Sequence, residues 1–117
     1  MRTPVTVSFR GERKERKRDA KEAYMYLIGR FLQAKPDIFD LYEKRGDKRN
    51  DFAHSPEALF PASPHFADQT GASGQVSGTN WYANTHTHTR EKVQRLEKLS
   101  EIAGFMRDTD WTWEEHN

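Results

Sequence analysis

Residues 81–104 read WYANTHTHTREKVQRLEKLSEIAG, and a change of rhythm inside this stretch decides the fold class. Trp81 and Tyr82 open a short strand leading into Thr85-His86-Thr87-His88-Thr89, where threonine and histidine alternate with period two. Beyond Thr89 the period becomes helical. Val93, Leu96, Leu99, Ile102 and Ala103 recur at three and four, Thr89 offers an N-cap, and Gly104 closes the run. A strand that hands the chain directly to a long helix means a domain of mixed helix and strand.

The upstream elements fit that class. Residues 19–33 carry Ala20, Ala23, Tyr24, Leu27, Ile28, Phe31 and Leu32 at helical spacing, which predicts an amphipathic helix. A second helix is expected over 36–45, with Pro36 in its first turn and Gly46 at its end. Ser55 and Pro56 open a short turn reaching Phe60. Near the N-terminus Val5, Val7 and Phe9 alternate with Thr6 and Ser8 behind Pro4, as in an edge strand. Residues 61–80 hold many Gly, Pro and Ser residues and are expected to form a long surface loop. The division expected is an N-terminal strand and basic arm over 1–18, a small helical domain with a short antiparallel β-sheet over 19–106, and an acidic, Trp-containing tail over 107–117.

A chain of 117 residues, 34% apolar and 32% charged, supports one modest core. It lacks an apolar run of membrane-spanning length and starts with charge rather than a secretory leader, so a cytoplasmic protein is expected. Without cysteine it has no disulfide, thiolate nucleophile or cysteine-bound zinc. No nucleophile elbow, phosphate-binding P-loop or dinucleotide fingerprint occurs, and no cofactor is expected. The net charge is only +1, but residues 1–60 hold 14 basic and 10 acidic side chains while 61–117 hold 5 and 8. Arg10, Arg13, Lys14, Arg16, Lys17 and Arg18 crowd together. Such a cluster suits a polyanion, because each neutralised phosphate releases condensed counterions. A solvated helix start with internal Glu–Lys pairs accounts for it equally well.

His86-Thr87-His88 admits three readings. At i and i+2 of an extended segment both imidazoles point the same way and could share a metal with His54, His65 or Asp68. Alternatively, the segment lies at a helix N-terminus, where free N–H groups, the Thr85, Thr87 and Thr89 hydroxyls, Arg90 and Lys92 would grip phosphate while the histidines face bases. The blandest reading is a polar connection whose threonines merely cap the helix. In the tail, Asp108, Asp110, Glu114 and Glu115 read as solvated charge rather than an acid–base site, and Trp111 and Trp113 as rings packed back on the domain. An interaction patch made by those two tryptophans is the minority alternative.

Val76-Ser77-Gly78-Thr79-Asn80-Trp81-Tyr82 and Thr85-His86-Thr87-His88-Thr89-Arg90-Glu91-Lys92 resemble the C-terminal DNA-binding domain of the SeqA family, negative modulators of replication initiation. That family reads Val-Pro-Gly-Thr-Pro-Tyr-Trp and then Thr-Asn-Thr-Asn-Thr-Gly-Arg-Lys. The resemblance runs without a gap over 76–105, and 46–59 is similar to the family's Gly-Arg-Thr-Arg loop and the Phe-Ala turn after it. The first long helix fits as well, so coverage is about residues 19–106, with 61–75 aligned poorly.

The resemblance implies a non-enzymatic α+β domain that binds double-stranded DNA at hemimethylated GATC or a related modified site, in a regulatory, nucleoid-associated role. His86 and His88 stand where the family's asparagines read bases in the major groove, with Thr87 between them. Asp47, Lys48 and Arg49 stand at Arg-Thr-Arg, so Lys48 and Arg49 would hold the DNA backbone. Thr85, Thr89 and Lys92 match directly, Arg90 replaces a glycine and Glu91 an arginine. The basic residues Arg13, Lys14, Arg16 and Lys17 would add phosphate contacts. Asparagine pairs bidentately with adenine and histidine cannot, so the site read can differ from the family's. The family's separate oligomerisation domain has no counterpart in this sequence, and the 5–9 strand is expected to offer an edge through which two copies could pair. A metal-dependent enzyme using His86 and His88, or a protein-interaction module, are the rival functions.

Overall fold

The computed structural model describes residues 3–45 and 51–116. The described residues form three helices and two small three-stranded antiparallel sheets. In chain order the elements are β1 (Val5–Phe9), β2 (Glu15–Lys17), α1 (Ala20–Ala34), α2 (Ile38–Lys44), β3 (Phe52–Ala53), β4 (Ser73–Gln75), β5 (Tyr82–Asn84), α3 (Thr89–Ala103) and β6 (Trp111–Glu115). Short 3-10 turns at Glu57–Leu59 and Pro64–Asp68 join β3 to β4. The α+β class is as expected.

Helix α1 starts where Asp19 accepts a hydrogen bond from the Glu22 N–H at 3.0 Å, while the Glu22 carboxylate reaches back to the Arg18 N–H. Its stripe from Ala23 to Leu32 is buried, and Phe31 meets Phe9, Phe105 and Trp111 with ring centroids 5.2–5.8 Å apart. Helix α3 ends at Gly104, whose φ of 77° is the left-handed C-cap that glycine adopts without strain. Its N-cap is His88 rather than Thr89, which is already the first helical residue.

The first sheet has the order β2-β1-β6, and this corrects two expectations. Strand β1 is central, not an edge: Val5 pairs with Lys17 on one side and Glu115 on the other. Both of its edges are occupied, so a second copy could pair there only by displacing β2 or β6. The acidic tail is β6. Trp111 is fully buried and Trp113 nearly so, and Trp111 Nε1 donates to Ser100 Oγ at 2.8 Å. Residues from 5–9, 111–113 and all three helices share one core cluster. The tryptophans do not form an exposed patch.

The second sheet, β3-β5-β4, has strands of two or three residues. It lies partly within the expected loop over 61–80, which proves to contain β4 and the buried Ala72 and Val76. Ser73-Gly74-Gln75 pairs through its backbone. Aromatic packing anchors this sheet to α2, with Phe39 stacked on Phe52 at 4.0 Å and edge-on to Trp81 at 5.3 Å. Among the described residues no helix is long and apolar enough to cross a membrane.

Candidate nucleic-acid interface

The THTHT segment forms the connection from β5 to α3. His86 and His88 are exposed. The backbone of His86 is held by an Asx turn, its N–H donating to Asn84 Oδ1 at 2.9 Å, and its ring lies edge-on to Phe66 at 4.8 Å. His88 ends the connection. Its side chain makes no capping bond to the first turn of α3, which carries Glu91 and the positive end of the helix dipole.

Two residues expected to hold phosphate are instead structural. Thr85 is buried and donates its hydroxyl to the Gly71 carbonyl at 2.7 Å. Lys92 is only 5% exposed, and its ammonium turns inward to the carbonyls of Thr85 at 3.2 Å and Thr87 at 2.5 Å. It clamps the loop from below and has no free face for DNA. Burial, followed by the charge of Arg95, pushes its pKa down to about 8, with Lys21 adding to the shift and Glu91 and Asp19 opposing it. Thr87 is half-buried and its Oγ1 is a buried polar atom without a hydrogen-bond partner, so a base contact from this hydroxyl would require the loop to move. Thr89 remains half-exposed at the start of α3, and Arg90 is exposed.

Of the basic arm, the structure brings only one end near this loop. Val5, Asp19, Lys21 and Thr89 line a common hollow, and Val5 pairs with Lys17. Lys17 is thus at the end of the hairpin nearer Thr89, Arg16 next to it faces the other side of the sheet, and Arg13 and Lys14 lie at the turn. Arg13, Lys14 and Arg16 are exposed and make no ion pair with the described residues. Lys17 is partly committed, with Nζ 3.1 Å from Glu15 and 4.6 Å from the centroid of the Tyr26 ring. Lys48 and Arg49, with Asp47 and the expected helix end at Gly46, lie outside the described residues.

Beneath the loop sits a buried polar network. Arg95 pairs with Asp51 at 2.9 Å and donates to the Tyr24 hydroxyl at 3.1 Å and the Asn84 carbonyl at 2.8 Å, while the Tyr42 hydroxyl donates to Asp51 at 2.6 Å. Burial raises the Tyr24 pKa to about 12, and burial together with the hydrogen bond to Asp51 raises that of Tyr42 further. These residues tie α1, α2, α3 and β5 together below the histidines. Sequence reasoning missed them, although the signal was present: Lys92 and Arg95 fall on the same helical face as Leu96 and Leu99.

The metal reading finds little support in this geometry, since among the described residues no three His, Asp or Glu side chains converge. No protein-family model, curated protein or solved structure matches this chain.

Proposed function

We propose that this chain is a non-enzymatic, sequence-reading double-stranded DNA-binding domain of the SeqA type, acting on GATC-type sites with a preference set by methylation. The observation that carries this reading is the exposed His86–His88 pair at the N-terminus of a 15-residue helix, held from below by Lys92, with Arg90 exposed in the first turn. His86 and His88 meet base edges. Thr89, Arg90 and the first-turn N–H groups of α3 meet phosphate, and Arg16, Arg13 and Lys14 extend the electrostatic contact. Neutral imidazole offers one donor and one acceptor on opposite sides of the ring, and its protonated form is a double donor suited to guanine N7. Such a protein works in the cytoplasm on the nucleoid, as a regulator of replication or of another process started at the site.

The test is a titration at one stated salt concentration with a single duplex in unmethylated, hemimethylated and fully methylated GATC forms, plus a GATC-free control. Tighter binding of the hemimethylated form is expected. Equal binding of all four removes the methylation-dependent reading, and failure to bind any of them overturns DNA binding altogether.

A further inference from the structure

Beside the histidine loop, between it and the segment of the two 3-10 turns, opens a cleft of about 440 Å³ that shares only His86 with the DNA contacts above. Its volume is that of a small-ligand cleft. One wall is aromatic: Phe60 and Phe66 meet edge-to-face at 5.0 Å, and Phe66 meets His86 in the same way at 4.8 Å. The floor is the Asp51–Arg95 pair, and Thr87, with its partnerless buried hydroxyl, also lines the space.

We propose that this cleft takes a single nucleobase. Rings set edge-to-face leave a π face for a flat guest and close-pack poorly around a branched aliphatic one. The floor is a carboxylate beside a guanidinium, an acceptor next to donors, and Glu91 adds a second carboxylate to the lining, so acceptors outnumber cationic donors. It suits a neutral ligand edge that alternates donor and acceptor, as the Watson–Crick edges of adenine, cytosine and guanine do. Tyr42 and Tyr24 hold both floor groups in place, so the floor is organised before a ligand arrives. The base has two possible sources, a free nucleoside or a base unstacked from a duplex seated on the histidine loop. The second rests on the DNA-binding reading and is favoured by the position of His86, which belongs to both the loop and the cleft wall.

The experiment has two arms, and duplex affinity is measured separately by anisotropy so that failure of DNA binding is seen on its own. In the first arm, saturation-transfer NMR is recorded with deoxyadenosine and deoxycytidine. In the second, 2-aminopurine is stepped through the GATC site and its fluorescence is followed on adding protein. A several-fold rise at one position, together with tighter binding when that position is mismatched, marks an unstacked base, because a mismatch lowers the cost of leaving the stack. Transfer to free nucleosides without that rise marks a soluble ligand of the same class. Phe66→Ala should abolish whichever signal is seen. Phe66→Leu, which keeps most of the bulk but removes the ring, should do the same with the thermal melt unchanged. Absence of both signals overturns the proposal even where the duplex binds, and signals that survive in both variants overturn the assignment to this cleft.

Discussion

The two sheets have similar strand numbers but are held together by different forces. In the first, five-residue strands bury Val5, Val7, Phe9, Trp111 and Trp113 on one face, and the ladder joins residues more than a hundred positions apart. In the second, strands of two and three residues bury only Phe52 and Ala83, with Phe52 stacked on Phe39, and charged side chains from the helices add bonds to the backbone of its strands and the loop that follows. Lys21 donates to the Ser73 carbonyl, Arg95 to that of Asn84, and Lys92 to those of Thr85 and Thr87. The apolar sheet makes the domain stable, and the polar-anchored one shapes a surface. A short sheet pinned by charged side chains holds an exposed loop in one conformation without covering it with apolar bulk.

Removing a part of either sheet separates these roles, and the largest effect belongs to the first. Truncation after Arg107 deletes β6, uncovers β1 and removes Trp111, which is fully buried. The shortened chain should lose its cooperative thermal transition by circular dichroism. A retained sharp melt would show that the ends are an appendage. Next comes Arg95→Ala, which leaves Asp51 charged, buried and unpaired. The expected loss is about 3–5 kcal/mol in urea denaturation, and removing Asp51 as well should restore part of it. A change below 1 kcal/mol would mean that water already reaches the pair.

What the sequence disclosed follows the same division. The 3.6 period of α1, the alternation of β1 and the Gly104 stop of α3 are local patterns set by apolar burial, and each is visible within its own segment. That β1 is central was not visible. Its partner strand lies at the far end of the chain, where Asp108, Asp110, Glu114 and Glu115 mask the alternation of Trp111, Thr112 and Trp113. Strand β4 has no pattern to find, because Ser73-Gly74-Gln75 is recruited through its peptide groups. At the candidate site the exposed histidines were legible as a motif, but Lys92 and Thr85 were read by residue type as phosphate ligands. Their side chains are spent on carbonyls, a role that only tertiary burial reveals. Asp51, Tyr24 and Tyr42 come from three separate segments, and no spacing rule joins them.

On the surface the effects are smaller and concern binding. His88→Ala should reduce discrimination between the preferred duplex and the GATC-free control by about 1–3 kcal/mol, with little change in the melt. Equal weakening of both duplexes would make His88 a backbone contact. The clamp gives a pH dependence of its own. As pH rises through about 8, Lys92 loses its proton in the folded protein, its bonds to Thr85 and Thr87 lose their charge assistance, and affinity for the duplex should fall a few-fold. The unfolded chain keeps that proton up to the ordinary lysine range and so binds more protons in this window. Stability from this group therefore rises with pH. Tyr24, with its pKa raised to about 12, withdraws stability only above the ordinary tyrosine value near 10. Between pH 8 and 9.5 binding should thus weaken without a lower melting temperature. In Lys92→Gln affinity should be weaker but flat across the window, and a slope that survives there would assign the titration to another group.

The smallest effect sharpens the comparison most. Arg16 belongs to the stable sheet, on the strand whose Lys17 end lies near Thr89, and its exposed guanidinium makes no ion pair with the described residues. Arg16→Ala should weaken all four duplexes by one common factor and lower the slope of log affinity against log salt by about 0.9, the value for one phosphate. The ratio between duplexes should not move. His88→Ala is expected to do the opposite, changing the ratio and leaving the slope alone. If Arg16→Ala altered the ratio, the stable sheet would also be reading the site, and the division between a stabilising sheet and a reading sheet would fail at the DNA.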